Sequence, residues 1–154
     1  MNVKATLSPD DLARACADAM WKEDDASSGL GMKIVEIAPG RATLTMTVRP
    51  DMVNGQRIAH GGFIFTLADS AFAFACNSHN EKAVAAQGNI SFIRPGKLGD
   101  VLVATAREIS RSGRSGIYDV QVKVGDQVIA EFRGHSRTIG GTWLPPNAAN
   151  SRQK

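Results

Sequence analysis

One carboxylate interrupts an apolar run: Asp69 lies within Phe63-Ile64-Phe65-Thr66-Leu67-Ala68-Asp69-Ser70-Ala71-Phe72-Ala73-Phe74-Ala75-Cys76. A helix that is apolar on nearly every face is a buried one, so its acid must either be satisfied by donors or be kept for chemistry. The run is opened by His60-Gly61-Gly62 and preceded by Asn54-Gly55. Glycine at a helix start leaves first-turn N–H groups open to a ligand, and the macrodipole there favours a developing negative charge. An oxyanion site uses both properties. Taken singly, the glycines also suit a tight turn and Asn54 suits an ordinary Asx turn. Taken together they match acyl-group hydrolysis, which needs a carboxylate to attack or to activate water, a donor at the carbonyl oxygen, and a group that aims the water. Asp69, the Gly61 N–H and Asn54 fill these roles, with His60 orienting the turn.

Spacing restricts how they can act. Gly62, Thr66, Asp69 and Ala73 follow steps of four, three and four and so share one helix face. Gly61 and Asp69, eight residues apart, are separated along one helix by about 12 Å, too far to serve one carbonyl. If both are catalytic, Asp69 of one copy must meet Gly61 of another, which predicts a homodimer with two shared sites. An anion site has its own candidates. Arg94 and Lys97 flank Pro95-Gly96, Arg111 and Arg114 bracket Ser112-Gly113, and Arg133, His135 and Arg137 alternate along one strand and so project from one face. Solvation explains most surface arginines; the anion reading assigns some of these to phosphates, with the Ser112–Gly116 loop as the most flexible candidate. His79 and His135 have no ligand-like spacing with His60 or with the cysteines, so no metal is expected.

These residues need a scaffold. Ser8-Pro9-Asp10-Asp11 reads as a helix start ahead of the alanine-rich Leu12–Trp21 pattern, with the helix ending before Ser27-Ser28-Gly29. Two period-2 segments follow, Met32–Ala38 and Arg41–Val48, joined by Pro39-Gly40 as a hairpin. The long helix covers about Gly61–Ser78, and four more strands are predicted at Val84–Ile93, Val101–Ile109, Ile117–Val124 and Val128–Thr138, with Gly125-Asp126 as a hairpin turn. An α+β domain with a curved antiparallel sheet around one central helix satisfies this order. Phe63, Phe65, Phe72 and Phe74 either pack its core or line an aromatic pocket. The expected division is a helix and linker over 1–28, the main domain over 29–140, and a loose tail over 141–154.

Composition bounds the rest. With 154 residues and 43% hydrophobic content the chain buries a real core as one unit. Net charge is +3 and the arginines are dispersed, which argues for an anionic small ligand rather than nucleic acid. Two cysteines, Cys16 and Cys76, give no disulfide framework. The start of the chain has no basic apolar leader, and no stretch approaches the ~20 apolar residues of a membrane span, so a cytoplasmic protein is expected.

Met52-Val53-Asn54-Gly55, His60-Gly61-Gly62, Leu67–Ala73 with Asn77-Ser78, and Ser91–Asp100 together resemble the hotdog-fold acyl-CoA thioesterases of the phenylacetate-degradation type, over roughly residues 29–140. The resemblance implies the hotdog fold, a dimer with a continuous sheet, and commonly a homotetramer of two such dimers. It implies hydrolysis of phenylacetyl-CoA or hydroxyphenylacetyl-CoA with no cofactor, coenzyme A being part of the substrate. Asp69 then acts as base or nucleophile, Gly61 polarises the carbonyl, Asn54 holds water, and His60 and Ser70 complete the set. Ser70 stands where relatives often carry Thr and keeps the hydroxyl. Gly62, Arg94, Pro95, Arg111, Ser112, Gly113, Arg114 and Arg137 are the expected substrate and CoA contacts. A hotdog hydratase lacks support, since the His-Phe-Pro-Gly motif is absent; a non-catalytic acyl-CoA sensor uses the same pocket, but the N-terminal segment is too short for a DNA-binding domain.

Overall fold

The structure, a computed structural model, describes residues 6–145. Helix α1 (Pro9–Glu23) starts where the sequence places it: Ser8 Oγ accepts from the Asp11 N–H at 3.1 Å, and Pro9, which has no N–H to leave unpaired, opens the first turn. Its buried residues Ala13, Cys16, Ala17 and Met20 form one stripe, and the helix packs against strand β1 (Lys33–Ala38). Residues 9–23 of the expected N-terminal segment therefore share the core of the main domain.

Ser27-Ser28-Gly29 does not leave the helix as a linker. Asp24 closes α1 and caps a second helix, α2 (Asp25–Gly29), its carboxylate accepting from the Ser27 N–H at 2.9 Å and from Ser27 Oγ at 2.6 Å. The serines that look like a breaker are there to be capped.

Strand β2 (Arg41–Thr47) follows, then a 3-10 turn (Pro50–Met52), helix α3 (Gly61–Cys76), and strands β3 (Ala83–Phe92), β4 (Val101–Ser112), β5 (Ser115–Val124) and β6 (Gln127–Thr138). Helix α3 stops two residues short of Ser78 because Asn77 caps it, its Nδ2 donating to the Ala73 carbonyl at 2.9 Å. All strands pair antiparallel in one sheet of order β1-β2-β4-β5-β6-β3. Register shifts at Ile34/Glu36, Ala85/Gln87, Glu108/Ser110 and Val122/Lys123 add the extra residues that bend a sheet.

The proposed flexible loop over Ser112–Gly116 is instead a tight hairpin. Ser112 pairs with Ser115, and Gly113, at φ +57°, takes the left-handed position that the two-residue turn requires.

The sheet wraps α3. Ile64, Leu67, Ala68, Ala71, Phe72, Phe74 and Ala75 are buried against a concave face supplied by Leu44, Leu102, Ala104, Val120, Val122 and Phe132. Phe72 packs at 5.5 Å from Tyr118 and 5.8 Å from Phe132, ring centre to ring centre, so Phe72 and Phe74 serve the core. Phe63 and Phe65 are partly buried against the same core. Gly134 makes this possible: a Cβ there would stand 2.8 Å from two ring carbons of Phe72 and 3.0 Å from Phe132. Gly134→Ala is expected to cost about 1–3 kcal/mol, the usual range for overpacking, read as a lowered urea midpoint with unchanged slope.

Two edges remain. Helix α1 packs on β1, whereas β3 is exposed along most of its length, with Val84 and Phe92 among its exposed apolar residues. The tail is not loose over 141–144. Asn80 Oδ1 accepts from the Trp143 and Leu144 N–H groups at 3.0 and 2.9 Å, and Asn77 Oδ1 accepts from the Trp143 indole at 2.9 Å. The remainder of the expected tail, from 146 on, lies outside the described residues.

Candidate active site

The entrance to α3 is shaped by His60. In an extended conformation (φ −63°, ψ 131°), it caps the helix with its ring: Nδ1 accepts from the Gly62 N–H at 2.9 Å, and its carbonyl accepts from the Phe63 N–H at 3.0 Å. In the neutral ring the proton is then on Nε2. The Gly61 N–H finds no acceptor among the described residues. The first turn thus presents one open donor, at the end where the helix dipole is positive.

Gly61 borders a cavity of about 490 Å³, together with Asn54, Ile58, Ala59, Ile64, Phe92, Ile93, Arg94 and Pro95. Four predicted site residues, Asn54, Gly61, Arg94 and Pro95, are brought together here. The loop is fixed from both sides, with His60 N–H donating to the Met52 carbonyl and Ala59 N–H to the Gly96 carbonyl, each at 2.8 Å. Asn54 builds an Asx turn: its Oδ1 accepts from the Gln56 and Ile58 N–H groups at 3.0 and 3.3 Å. What it can offer a water or a carbonyl is therefore its amide NH₂.

Asp69 is elsewhere. It is half-buried, on the α3 face of small or polar residues that the spacing places together, with half-buried Thr66 and Ala73 and exposed Gly62. Partial burial pushes its carboxyl above the usual aspartate range. Burial, with the Asp69 charge adding to it, pushes the Cys76 thiol up to about 12, which removes Cys76 as a nucleophile at neutral pH. Asp69 does not border the cavity.

Ser70 turns away from Asp69's neighbours towards the N-terminal segment, its Oγ 2.8 Å from Ser27 Oγ, which in turn donates to Asp24. No sequence pattern signals this chain of hydroxyls, because the partners are 43 residues apart.

The basic residues divide between places. Arg94 Nη1 donates to the Val128 carbonyl at 3.0 Å at the rim of the cavity. Arg137 and Ser112 border a second cavity, of about 270 Å³, with His135 and Ser136. Arg111, Gly113 and Arg114 border a narrow cleft beside His79 and Tyr118. There Glu108 accepts from the Tyr118 hydroxyl at 2.8 Å, sits 2.9 Å from His79 Nε2 and lies 3.6 Å from Arg111; burial pushes its carboxyl up, but the hydrogen bonds with Tyr118 and His79 and the nearby positive charge hold it below the usual range. Arg114 donates twice to the Thr138 carbonyl, and Arg133 is locked in a bidentate pair with Asp119 at 2.6 and 2.8 Å.

Comparison with known proteins bears on this arrangement. The profile of the thioesterase superfamily matches residues 56–131, a span that contains the turn, α3 and most of the sheet. The acyl-coenzyme A thioesterase PaaI of Escherichia coli K12 is 45% identical over 127 residues, covering 82% of this chain and 91% of that protein. The solved structure of E. coli PaaI, from the phenylacetic acid degradation operon, superposes with a TM-score of 0.86 at 43% identity, covering 88% of this chain and 99% of that one. A Streptococcus mutans UA159 protein solved bound to acetyl CoA matches at TM-score 0.69 and 28% identity, covering 72% and 90%. The open helix N-terminus, the curved sheet around α3 and these likenesses agree, and the chain belongs to the thioesterase superfamily as a hotdog-fold relative of the acyl-CoA thioesterases.

Proposed function

We propose that this thioesterase hydrolyses phenylacetyl-CoA or hydroxyphenylacetyl-CoA, without a cofactor and in the cytoplasm, from sites shared between two copies of the chain. The observation that carries the reading is the Gly61 N–H, without an acceptor among the described residues, at a largely apolar cavity, with the one carboxylate of α3 two turns away on a half-buried face. Each copy holds half of a site. The exposed edge of β3 is where a partner's β3 would extend the sheet and bring the halves together, and two such dimers would form the homotetramer.

Chemically, the thioester oxygen accepts from the Gly61 N–H while Asp69 of the other copy takes a proton from water. The water oxygen bonds to the carbonyl carbon, the C=O electron pair moves onto the oxygen, and collapse breaks the C–S bond. The thiolate is a good leaving group and recovers the proton, giving the free acid and CoA. Direct attack by the Asp69 carboxylate is the other route, through an anhydride that water then cleaves. Asn54 positions water with its NH₂, and the cationic residues around Ser112, Gly113 and Arg137, with Arg94, receive the CoA phosphates.

Free thiol released from arylacetyl-CoA and aliphatic acyl-CoA substrates tests this. Faster cleavage of arylacetyl thioesters is expected; a preference for aliphatic ones would overturn the acyl assignment, and no thiol from any of them would leave a binding protein.

Either route needs Asp69 ionised. Because burial raises its pKa, kcat/KM should fall as pH drops through a value above the ordinary aspartate range, and Asp69→Glu should move that acidic limb. An acidic limb at the free-aspartate position would contradict the assignment.

A further inference from the structure

The space beside Gly61 is filled by a side chain. The φ of Gly61 is not positive, and the ring of Phe92 stands over it, so that a Cβ would lie 2.8 Å from Cζ and 3.2 Å from both Cε atoms. The tip of the ring is aimed at the α3 N-terminus, beside the one N–H that has no acceptor among the described residues. A phenylalanine 54% exposed at the end of an edge strand has no core to fill, yet this one borders the cavity with Gly61.

Its backbone is fixed. Phe92 pairs with Ala130 on β6, and the Ile129 carbonyl accepts from both the Ile93 and Arg94 N–H groups at 2.8 and 3.2 Å. Only rotation about its side-chain bonds can move the ring.

We propose that Phe92 is a specificity-determining residue that reads substitution at the α-carbon of the acyl group. A carbonyl oxygen about 2.9 Å from the Gly61 nitrogen places the carbonyl carbon within roughly 4 Å of it, and the α-carbon one bond further on. The ring tip already occupies that neighbourhood. An unbranched α-CH₂, as in an arylacetyl or straight-chain group, passes beside the ring and makes contact with it; a second carbon on the α-position meets the ring. The site therefore selects thioesters unbranched at the α-carbon. This rests on the hydrolase reading given above and adds to it a class of acyl group and the residue that selects it.

The test uses isomeric pairs, so that size and hydrophobicity are matched: 3-phenylpropionyl-CoA against 2-phenylpropionyl-CoA, and butyryl-CoA against isobutyryl-CoA. The wild-type protein is expected to favour the unbranched member of each pair by about tenfold or more in kcat/KM, the scale on which a pocket discriminates one misplaced carbon. In Phe92→Ala that ratio should fall towards one, through faster turnover of the branched member, with Phe92→Leu between. Phe92→Ala should also restore part of the activity lost in Gly61→Ala, since it removes the atoms that the new methyl meets. Circular dichroism melts establish that each variant folds. Acyl-CoA turnover with the same ratio in all three proteins would overturn this inference and leave the hydrolase reading intact; thiol release from no CoA thioester would overturn both.

Discussion

Asp69→Asn is expected to lower kcat/KM by about 10²–10⁴-fold, the range for removal of a positioned general base, while making the folded protein more stable at neutral pH. The two effects share one cause. The carboxylate is half-buried on α3, and desolvation raises its pKa above the value that it has in the unfolded chain. The folded state then binds a proton more tightly than the unfolded state does. Its contribution to stability is fully present below the unfolded pKa and is lost as pH rises through the folded pKa. At neutral pH the ionised Asp69 is therefore a liability, and the neutral, isosteric amide relieves it. Stopped thiol-release assays and urea melts at pH 7 and pH 4 check both arms. The wild-type and variant melts should differ at pH 7 and converge at pH 4. A variant that loses activity and stability together would place Asp69 in a structural network instead, and one that keeps activity would remove it from the reaction.

Mixing two inactive variants should restore activity. Asp69→Asn keeps an intact Gly61 turn, and Gly61→Val keeps an intact Asp69 while crowding the space that the Phe92 ring already restricts. If each site takes Asp69 from one copy and Gly61 from the other, a heterodimer contains one site with both residues native and one with both altered. Random pairing makes half the dimers mixed, so co-refolded protein should recover about a quarter of the wild-type rate. The reason lies in the helix itself: at 1.5 Å per residue, eight residues hold the two groups about 12 Å apart along the axis of α3, and no rotamer closes that distance. Recovery that tracks the mixed fraction, measured with differently tagged copies separated by affinity, supports the shared site. No recovery in isolated heterodimers would confine the chemistry to single chains.

Much of this molecule is legible from local pattern. The central helix, the alternation of Ala42, Leu44 and Met46 with threonines, and the turns at Gly40 and Gly125, both at positive φ, follow from periodicity and glycine placement. The chemical types of the candidate residues were equally plain, because an acid in an apolar helix and a glycine pair at its start stand out in composition alone. Other features were hidden. Ser27 and Ser28 look like a helix breaker, but a carboxylate three residues before Ser27 turns the segment into a capped helix. The Ser112–Gly116 segment reads as an open loop, and cross-strand pairing makes it a tight turn.

The sequence by itself determined the central helix, the order of the six strands and the glycine turn that opens α3, because propensity, capping and periodicity act over a few residues. Tertiary structure decided that Asp69 is left half-buried on its helix, that Ser70 is tied to Ser27, that Glu108 draws in His79, Tyr118 and Arg111, and that Phe92 stands over Gly61. Those contacts join residues up to 43 positions apart, and their existence depends on strand register and on where the sheet ends. The spacing of Gly62, Thr66, Asp69 and Ala73 marks one face of α3 as small or polar, but only the packed sheet fixes how far that face is left uncovered.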